Sequence, residues 1–253
     1  MQQYAQVFAT SRDPDRNLAD LRAEQRIRFD LARPETWRLI PPATDLLWCF
    51  PAVPVELVER FAEMASLRTR RLVVLGSTSA YVDSLSTTYP PPWIDETATI
   101  ELTQPRVQGE ELLRKSYNAT ILRVSGIYGP GRNPLKWIRT GRVTRSRKFV
   151  NLIHVEDLAT TCLAAIKHGE NGTIYNVSDG TPRTWDDICR TVERRWAIRS
   201  SVSPEPRPTG KRIVNQRLCK LLKADGVNLR YTDLYHELER IEEVFLNEAE
   251  PSR

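Results

Sequence analysis

Thr120-Ile-Leu-Arg-Val-Ser-Gly-Ile-Tyr-Gly-Pro-Gly-Arg132 is a short apolar run, rich in β-branched residues and closed by a Gly-Pro-Gly turn. Such a run reads as a buried parallel strand that delivers a loop to the edge of a sheet, and loops of this kind carry ligands in α/β proteins. Taken alone it also fits a plain structural turn, so its weight comes from the sequence on either side.

Upstream, Arg71 to Tyr81 (Arg-Leu-Val-Val-Leu-Gly-Ser-Thr-Ser-Ala-Tyr) is a second strand, ending in a cluster of hydroxyls. At the carboxyl end of a parallel strand these could hydrogen-bond a substrate carbonyl or alcohol; they could equally cap a turn. Further back, Gln6 to Thr10, Arg26 to Leu31 and Thr44 to Ala52 read as strands. Residues 17–24 and Pro54 to Leu67 read as helices, the latter with apolar spacing at Val55, Leu57, Val58, Phe61 and Met64. Downstream of a helix from about Gln104 to Ser116 and of the opening stretch come a strand at Phe149 to Val155, a helix at Glu156 to His168 and a strand at Thr173 to Val177. A threonine-capped helix at Thr184 to Trp196 follows. A proline-rich crossing segment from Ser200 to Gly210 precedes a basic helix at Lys211 to Leu222 and an acidic amphipathic helix at Tyr231 to Glu248.

The chain has 253 residues, 40% hydrophobic and 27% charged, which suits one mid-sized globular domain. No stretch approaches the roughly 18 to 20 uncharged apolar residues of a membrane span, and no basic-then-apolar leader is visible, so a cytoplasmic protein without membrane partners is expected. Cys49, Cys162, Cys189 and Cys219 form no C-x-x-C pair, and with three histidines in the chain they read as reduced thiols rather than metal ligands. The net charge of +5 allows an anionic partner without naming one. The basic run Arg139, Arg142, Arg145, Arg147 and Lys148 could meet phosphates or be a solvated loop; it lacks the aromatic interleaving of a nucleic-acid surface, and no nucleic-acid partner is expected.

Five ordered stretches, Leu72 to Tyr81, Asp95 to Thr97, Ile121 to Arg132, Asn151 to Ala159 and Ile174 to Asp179, together resemble the extended short-chain dehydrogenase/reductase superfamily, the NAD(P)-dependent nucleotide-sugar epimerase and dehydratase group. Within it the sequence is similar to an atypical, epimerase-like branch. The resemblance implies an α/β, Rossmann-like doubly wound parallel sheet. The whole chain, 1–253, would form a single NAD(P)-binding domain, with a small C-terminal substrate lobe built from about 130–150 and 178–253. It implies NAD(P) as cofactor and a nucleotide-sugar-like substrate, with a homodimer as one arrangement. The function implied is an oxidoreductase or epimerase; the alternatives are a non-catalytic NAD(P)- or nucleotide-sugar-binding protein and a truncated inactive homologue.

The roles carried over are specific. Ser77, with Thr78 as its understudy, matches the hydroxyl that bonds the reacting oxygen, and Tyr81 packs at the crevice wall. Arg12 stands where an arginine suits a 2′-phosphate, favouring NADP, although a surface arginine fits too. Asp30, Phe50, Pro51 and Ala52 line the adenosine side, and Ser125, Gly126 and Ile127 border the nicotinamide. Tyr128, Arg132, Asn133 and Asn151 approach the substrate. His154 seats a strand against a helix, and Asp95 and Glu96 are either a substrate-loop acid pair or turn caps.

Two departures matter. The Tyr-x-x-x-Lys pair places both side chains on one helix face, where the ammonium lowers the phenol's pKa for proton transfer; here Leu102 falls at the tyrosine and Arg106 at the lysine. The family's Gly-x-x-Gly-x-x-Gly turn, which receives the dinucleotide pyrophosphate, has no counterpart, since no glycine precedes Gly76. The sheet is therefore expected to lack its first, central strand, with that strand lying upstream of Met1, the sheet re-paired, or a partner chain filling the gap, and this chain could hold no cofactor at all.

Overall fold

The computed structural model describes residues 6–82, 88–202 and 209–249. Its strands are β1 (Ala9–Ser11), β2 (Arg26–Arg28), β3 (Thr44–Trp48), β4 (Thr69–Ser77), β5 (Trp93–Ile94), β6 (Thr120–Val124), β7 (Gly126–Tyr128), β8 (Phe149–Val150), β9 (Leu152–His154), β10 (Ile174–Val177), β11 (Arg183–Thr184) and β12 (Arg212–Ile213). The helices are α1 (Pro14–Asn17), α2 (Val55–Ser66), α3 (Pro105–Tyr117), α4 (Pro134–Arg139), α5 (Val155–His168), α6 (Trp185–Trp196), α7 (Gln216–Ala224) and α8 (Leu234–Ala249).

The centre is a parallel sheet in the order β10-β6-β4-β3. Every residue of β6 is buried, as a strand covered on both faces requires. Alternate side chains leave it in opposite directions: Ile121 joins Val74 under α2 and α3, while Leu122 and Val124 join Val73 under α5 and α7. On α2 the buried positions Val58, Phe61, Ala62 and Ala65 follow the helical period and form the stripe that faces the sheet. The architecture is thus α/β and doubly wound.

β1 and β2 form a parallel pair of their own, bonded to neither edge of the central sheet. The two sheets are joined instead by side chains: Phe61 of α2 meets Phe29, Trp37 and Trp48 edge-on, at 5.2, 5.5 and 5.4 Å between ring centres. A third cluster gathers α4, α6 and α8 around Tyr128, Leu135, Ile138, Ile188, Val192 and Leu238. No helix among the described residues is long and apolar enough to cross a membrane.

Several elements differ from the sequence-based expectation for local reasons. The helix expected over 17–24 is the single turn α1, whose Asp13 cap accepts the Arg16 N–H, followed by a 3-10 turn at Ala23–Gln25. The strand expected from Phe149 to Val155 is two strands, β8 and β9, split at Asn151, whose amide is bound to β12 and its approach. Arg212 and Ile213 pair in parallel with Trp93 and Ile94 instead of opening a helix, so α7 starts at Gln216. The middle of the proline-rich segment, 203–208, lies outside the described residues.

Candidate functional site

The carboxyl ends of β3, β4, β6 and β10 share one edge of the sheet, and register sets their loops side by side. Ser77 at the end of β4 is the Cα partner of Val124, so the hydroxyl turn after β4 adjoins Ser125 and Gly126. Half-buried Ser77 caps the 3-10 turn Thr78–Ala80: its Oγ accepts from the Ser79 N–H at 3.1 Å and the Ser79 hydroxyl at 3.0 Å. Its own O–H remains available to donate. Capping and ligand binding are therefore compatible at this residue, and half-buried Thr78 opens the same turn.

Arg106 lies in the first turn of α3 and reaches the same edge. Its Nε donates to Glu110 Oε1 at 2.8 Å and its Nη2 to the Leu75 carbonyl at 3.1 Å, so the guanidinium fork lies against the end of β4. Leu102, ahead of the helix, is 51% exposed. An aliphatic side chain and a permanently charged guanidinium cannot shuttle a proton. Glu110 rests on Gly76, where a Cβ would stand 2.7 Å from its carboxylate. Burial pushes the Glu110 carboxyl above its ordinary range, against the opposing pull of Arg106 and then Arg123.

Arg123 was not anticipated as part of the site. It projects from the middle of β6, is 1% exposed, and sits 4.7 Å over the Tyr81 ring. It reaches Glu111 at 3.4 Å, while its Nε and Nη1 find no hydrogen-bond partner among the described residues. Tyr81, itself buried, donates to Asn176 Oδ1 at 2.6 Å, and the Asn176 N–H donates to Glu96 Oε1 at 3.0 Å. The legible signal was a single charge in an otherwise apolar strand.

The remaining expected residues divide into two groups. Arg12 is exposed just beyond β1, and Asp30 is half-buried just beyond β2; the Phe29 N–H bonds the Ser11 carbonyl at 2.9 Å, which brings the two strand ends together. Phe50 lies 6.0 Å from Phe29, Pro51 is exposed, and Ala52 is buried beneath Gly109. Ser125 is buried with its Oγ unpartnered among the described residues, Gly126 is exposed and Ile127 half-buried. Ser125 and Gly126 directly follow the end of β6.

Tyr128, Asn133 and Asn151 instead satisfy the fold. Tyr128 is fully buried with its hydroxyl on the Tyr231 carbonyl, and burial raises its pKa. Asn133 caps α4 by accepting the Leu135 N–H at 2.8 Å. Asn151 donates to the Lys211 carbonyl at 2.8 Å and accepts from the Ile213 N–H at 3.0 Å, tying the β8–β9 junction to β12. Arg132 is exposed, and its Nε donates to the Ile127 carbonyl at 3.2 Å. His154 is fully buried against Tyr231, ring centres 3.8 Å apart, and Asp95 forms a turn with Thr97 that lowers its pKa.

Beside this edge stands an arginine-aromatic wall. Arg147 lies 3.8 Å over Tyr89, and Arg212 lies between Trp93 and Phe149, at 4.8 and 5.9 Å. Lys211 fastens the wall to the crevice by donating to the Tyr81 carbonyl at 2.6 Å. Two more residues of the basic run are paired with carboxylates: Arg139 with Glu242 and Arg145 with Asp186.

For a dinucleotide the fit is uneven. The orphaned Ser125 hydroxyl, open Gly126 and the unused Ser77 proton suit a polar ligand at the ends of β4 and β6. No glycine precedes Gly76 in the sequence. Among the described residues no group of three or more His, Cys, Asp and Glu could hold a metal ion.

No family model matches the chain. Protein YeeZ of Escherichia coli is 29% identical over 115 residues, 44% of this chain and 40% of YeeZ, so the chain spans less than half the length of the curated relatives it matches. Among solved structures, an NAD-dependent epimerase/dehydratase from Methylobacillus flagellatus is 24% identical with a TM-score of 0.65, covering 89% of this chain and 86% of that one. MoeE5 in complex with UDP-glucuronic acid and NAD gives a TM-score of 0.72 at 17% identity, over 95% and 91% of the two chains. An Agrobacterium tumefaciens short-chain dehydrogenase/reductase superfamily protein with bound NAD gives 0.71 at 14% identity, over 95% and 90%. The chain therefore has the Rossmann-like fold of the NAD-dependent epimerase/dehydratase and short-chain dehydrogenase/reductase proteins, as its five motifs imply.

Proposed function

We propose that the chain is an NAD(P)-binding, epimerase/dehydratase-like protein that receives a nucleotide-sugar-like substrate at the carboxyl edge of its sheet. The observation that carries this reading is the convergence of Ser77, Arg106 and Ser125–Gly126 on the ends of two hydrogen-bonded strands. NAD(P), when bound, supplies a hydride acceptor. Ser77 donates its free proton to a substrate oxygen, Ser125 and Gly126 border the nicotinamide, and Arg12 and Asp30 face the adenosine ribose, with Arg12 favouring NADP. Residues of about 130–150 and 178–253 form the substrate lobe. Arg147 and Arg212 of that lobe attract phosphate, and Phe149 of the lobe with Tyr89 and Trp93 beside it offer flat faces for a base.

A second reading, binding without chemistry, is favoured by a specific observation: the two positions of the expected proton shuttle carry exposed Leu102 and an Arg106 engaged by Glu110 and Leu75. Titrating the protein into NADPH while following nicotinamide fluorescence tests the cofactor: saturable binding is expected, and no binding at millimolar NADPH would defeat the NAD(P) reading. Ser77→Ala separates the two readings. Loss of a measured turnover supports chemistry, whereas unchanged ligand binding with no turnover in either protein supports the binding module.

A further inference from the structure

Arg106 is held by one edge of its guanidinium. Nε donates to Glu110 Oε1 at 2.8 Å and Nη2 to the Leu75 carbonyl at 3.1 Å, which spends two of the five N–H groups. Both anchors are fixed, since the Glu110 side chain is 2% exposed and Leu75 belongs to β4. The other edge, Nη1 with the second proton of Nη2, has no acceptor among the described residues, and the side chain is 36% exposed. Two hydroxyl donors stand at the same end of the sheet. Ser77, two residues beyond Leu75, keeps its O–H free, and Ser125, next to the Cα pair Ser77–Val124, is buried with its Oγ unpartnered among the described residues.

The charges around this edge do not cancel. Arg106 pairs with Glu110, Arg114 and Arg123 both pair with Glu111, and Glu110 also feels the charge of Arg123. Three guanidiniums thus meet two carboxylates, an excess of one positive charge before the exposed Lys115 on Glu111 is counted. Arg123 is closed in at 1% exposure, and Arg114 spends its N–H groups on Glu111 and the Gly172 carbonyl. The excess is therefore presented through the open edge of Arg106.

From the open fork and the unmatched charge we propose that Arg106 receives a carboxylate of the substrate, with the Ser77 hydroxyl beside it. The substrate class narrows to nucleotide-sugar-like molecules that carry an acid group on the sugar. A carboxylate is planar, offers two oxygens to the Nη1–Nη2 edge, and brings the single negative charge that the cluster lacks. A neutral hydroxymethyl in the same place would leave that charge unmet, and a lysine at 106 would supply a point charge without the fork. Because Glu110 and Leu75 already fix the guanidinium, binding orders little side chain. The proposal rests on the nucleotide-sugar reading of the crevice and names the group that this reading leaves open.

The test compares UDP-glucuronic acid with UDP-glucose by isothermal titration calorimetry, with and without millimolar NADPH. The probes share the nucleoside diphosphate and differ in one group, carboxylate against hydroxymethyl, so the ratio of their affinities reads the carboxylate alone. Wild type is expected to bind UDP-glucuronic acid about tenfold tighter or more, the effect of one charged hydrogen-bonded pair. Arg106→Gln and Arg106→Lys are expected to bring the ratio close to unity. A wild-type ratio near unity overturns the proposal while the nucleotide-sugar reading stands, and this arm needs no variant to fold. An undiminished ratio in Arg106→Gln, with amide-exchange protection of Thr120–Val124 as in wild type, also overturns it, because the carboxylate would then be read elsewhere. If neither probe binds at millimolar concentration, the nucleotide-sugar reading fails and the proposal with it.

Discussion

At the residue scale, two buried ionisable groups carry opposite pH signatures. His154 is enclosed by Tyr128 and Tyr231, and its Nδ1 accepts the Glu156 N–H at 3.3 Å, which places the proton of the neutral ring on Nε2, 3.4 Å from Glu237. Burial lowers its pKa from 6.5 despite the nearby carboxylates Glu237, Glu156 and Asp157. A depressed folded-state value means that its contribution is complete above 6.5 and is lost as the pH falls through the folded value. Glu110 is the reverse: its raised value makes its contribution complete below 4.5 and lost as the pH rises. Melting temperatures between pH 4 and 8 should therefore show a smaller decline on the alkaline side in Glu110→Gln than in wild type. An identical profile would assign the decline to other groups. His154→Ala should cost about 2–4 kcal/mol in urea denaturation, the penalty of removing a large, enclosed side chain.

At the scale of elements, α3 is fixed by a close approach that leaves no room for a side chain. A Cβ at Gly109 would stand 2.0 Å from the Ala52 carbonyl oxygen, so the helix lies directly on the loop that follows β3. Gly109→Ala should destabilise the protein by about 3 kcal/mol, more than a helix-favouring substitution can return, and shift the Phe50–Ala52 loop. Thr184→Ala should cost about 1 kcal/mol by opening the reciprocal Thr184–Asp187 box that starts α6; thermal denaturation reads both. The threonine cap was visible in the sequence, as were β6 and α2, because local chemistry and hydrophobic period agree there; the reciprocal bond from Asp187 was not. The close approach at Gly109 was not, since it depends on a contact between segments far apart in the chain. The same reason hid Arg123, whose role arises only when Tyr81 and Glu111 close over it. Ser77 and its option of capping a turn could be read from its strand, but not that it caps while keeping its proton free. For Tyr128, Asn133 and Asn151 the side-chain bonds are decided by tertiary packing, which the motif does not contain.

At the scale of the whole molecule, the β1–β2 pair is held to the rest by aromatic side chains rather than by a continuous backbone ladder. Hydrogen-bonded strands open together, while a unit joined through side chains can separate at lower free energy. Phe61 is the shared contact: it belongs to α2, which packs on the central sheet, yet touches Phe29 and Trp37 of the amino-terminal unit. Native-state hydrogen exchange should accordingly find Ala9–Ser11 and Arg26–Arg28 opening before Thr120–Val124, the fully buried strand. Phe61→Ala should lower global stability by about 3–5 kcal/mol and reduce the opening free energy of residues 6–40 to near zero, leaving β6 as the last strand to exchange. If both units instead exchanged with one common free energy in wild type and variant, the aromatic junction would be as cooperative as a paired sheet. On the proposed NADP reading, with Arg12 and Asp30 on the loosely joined unit and Ser77 on the rigid one, early opening also predicts that Phe61→Ala weakens NADPH binding without altering the local protection of Val73–Ser77.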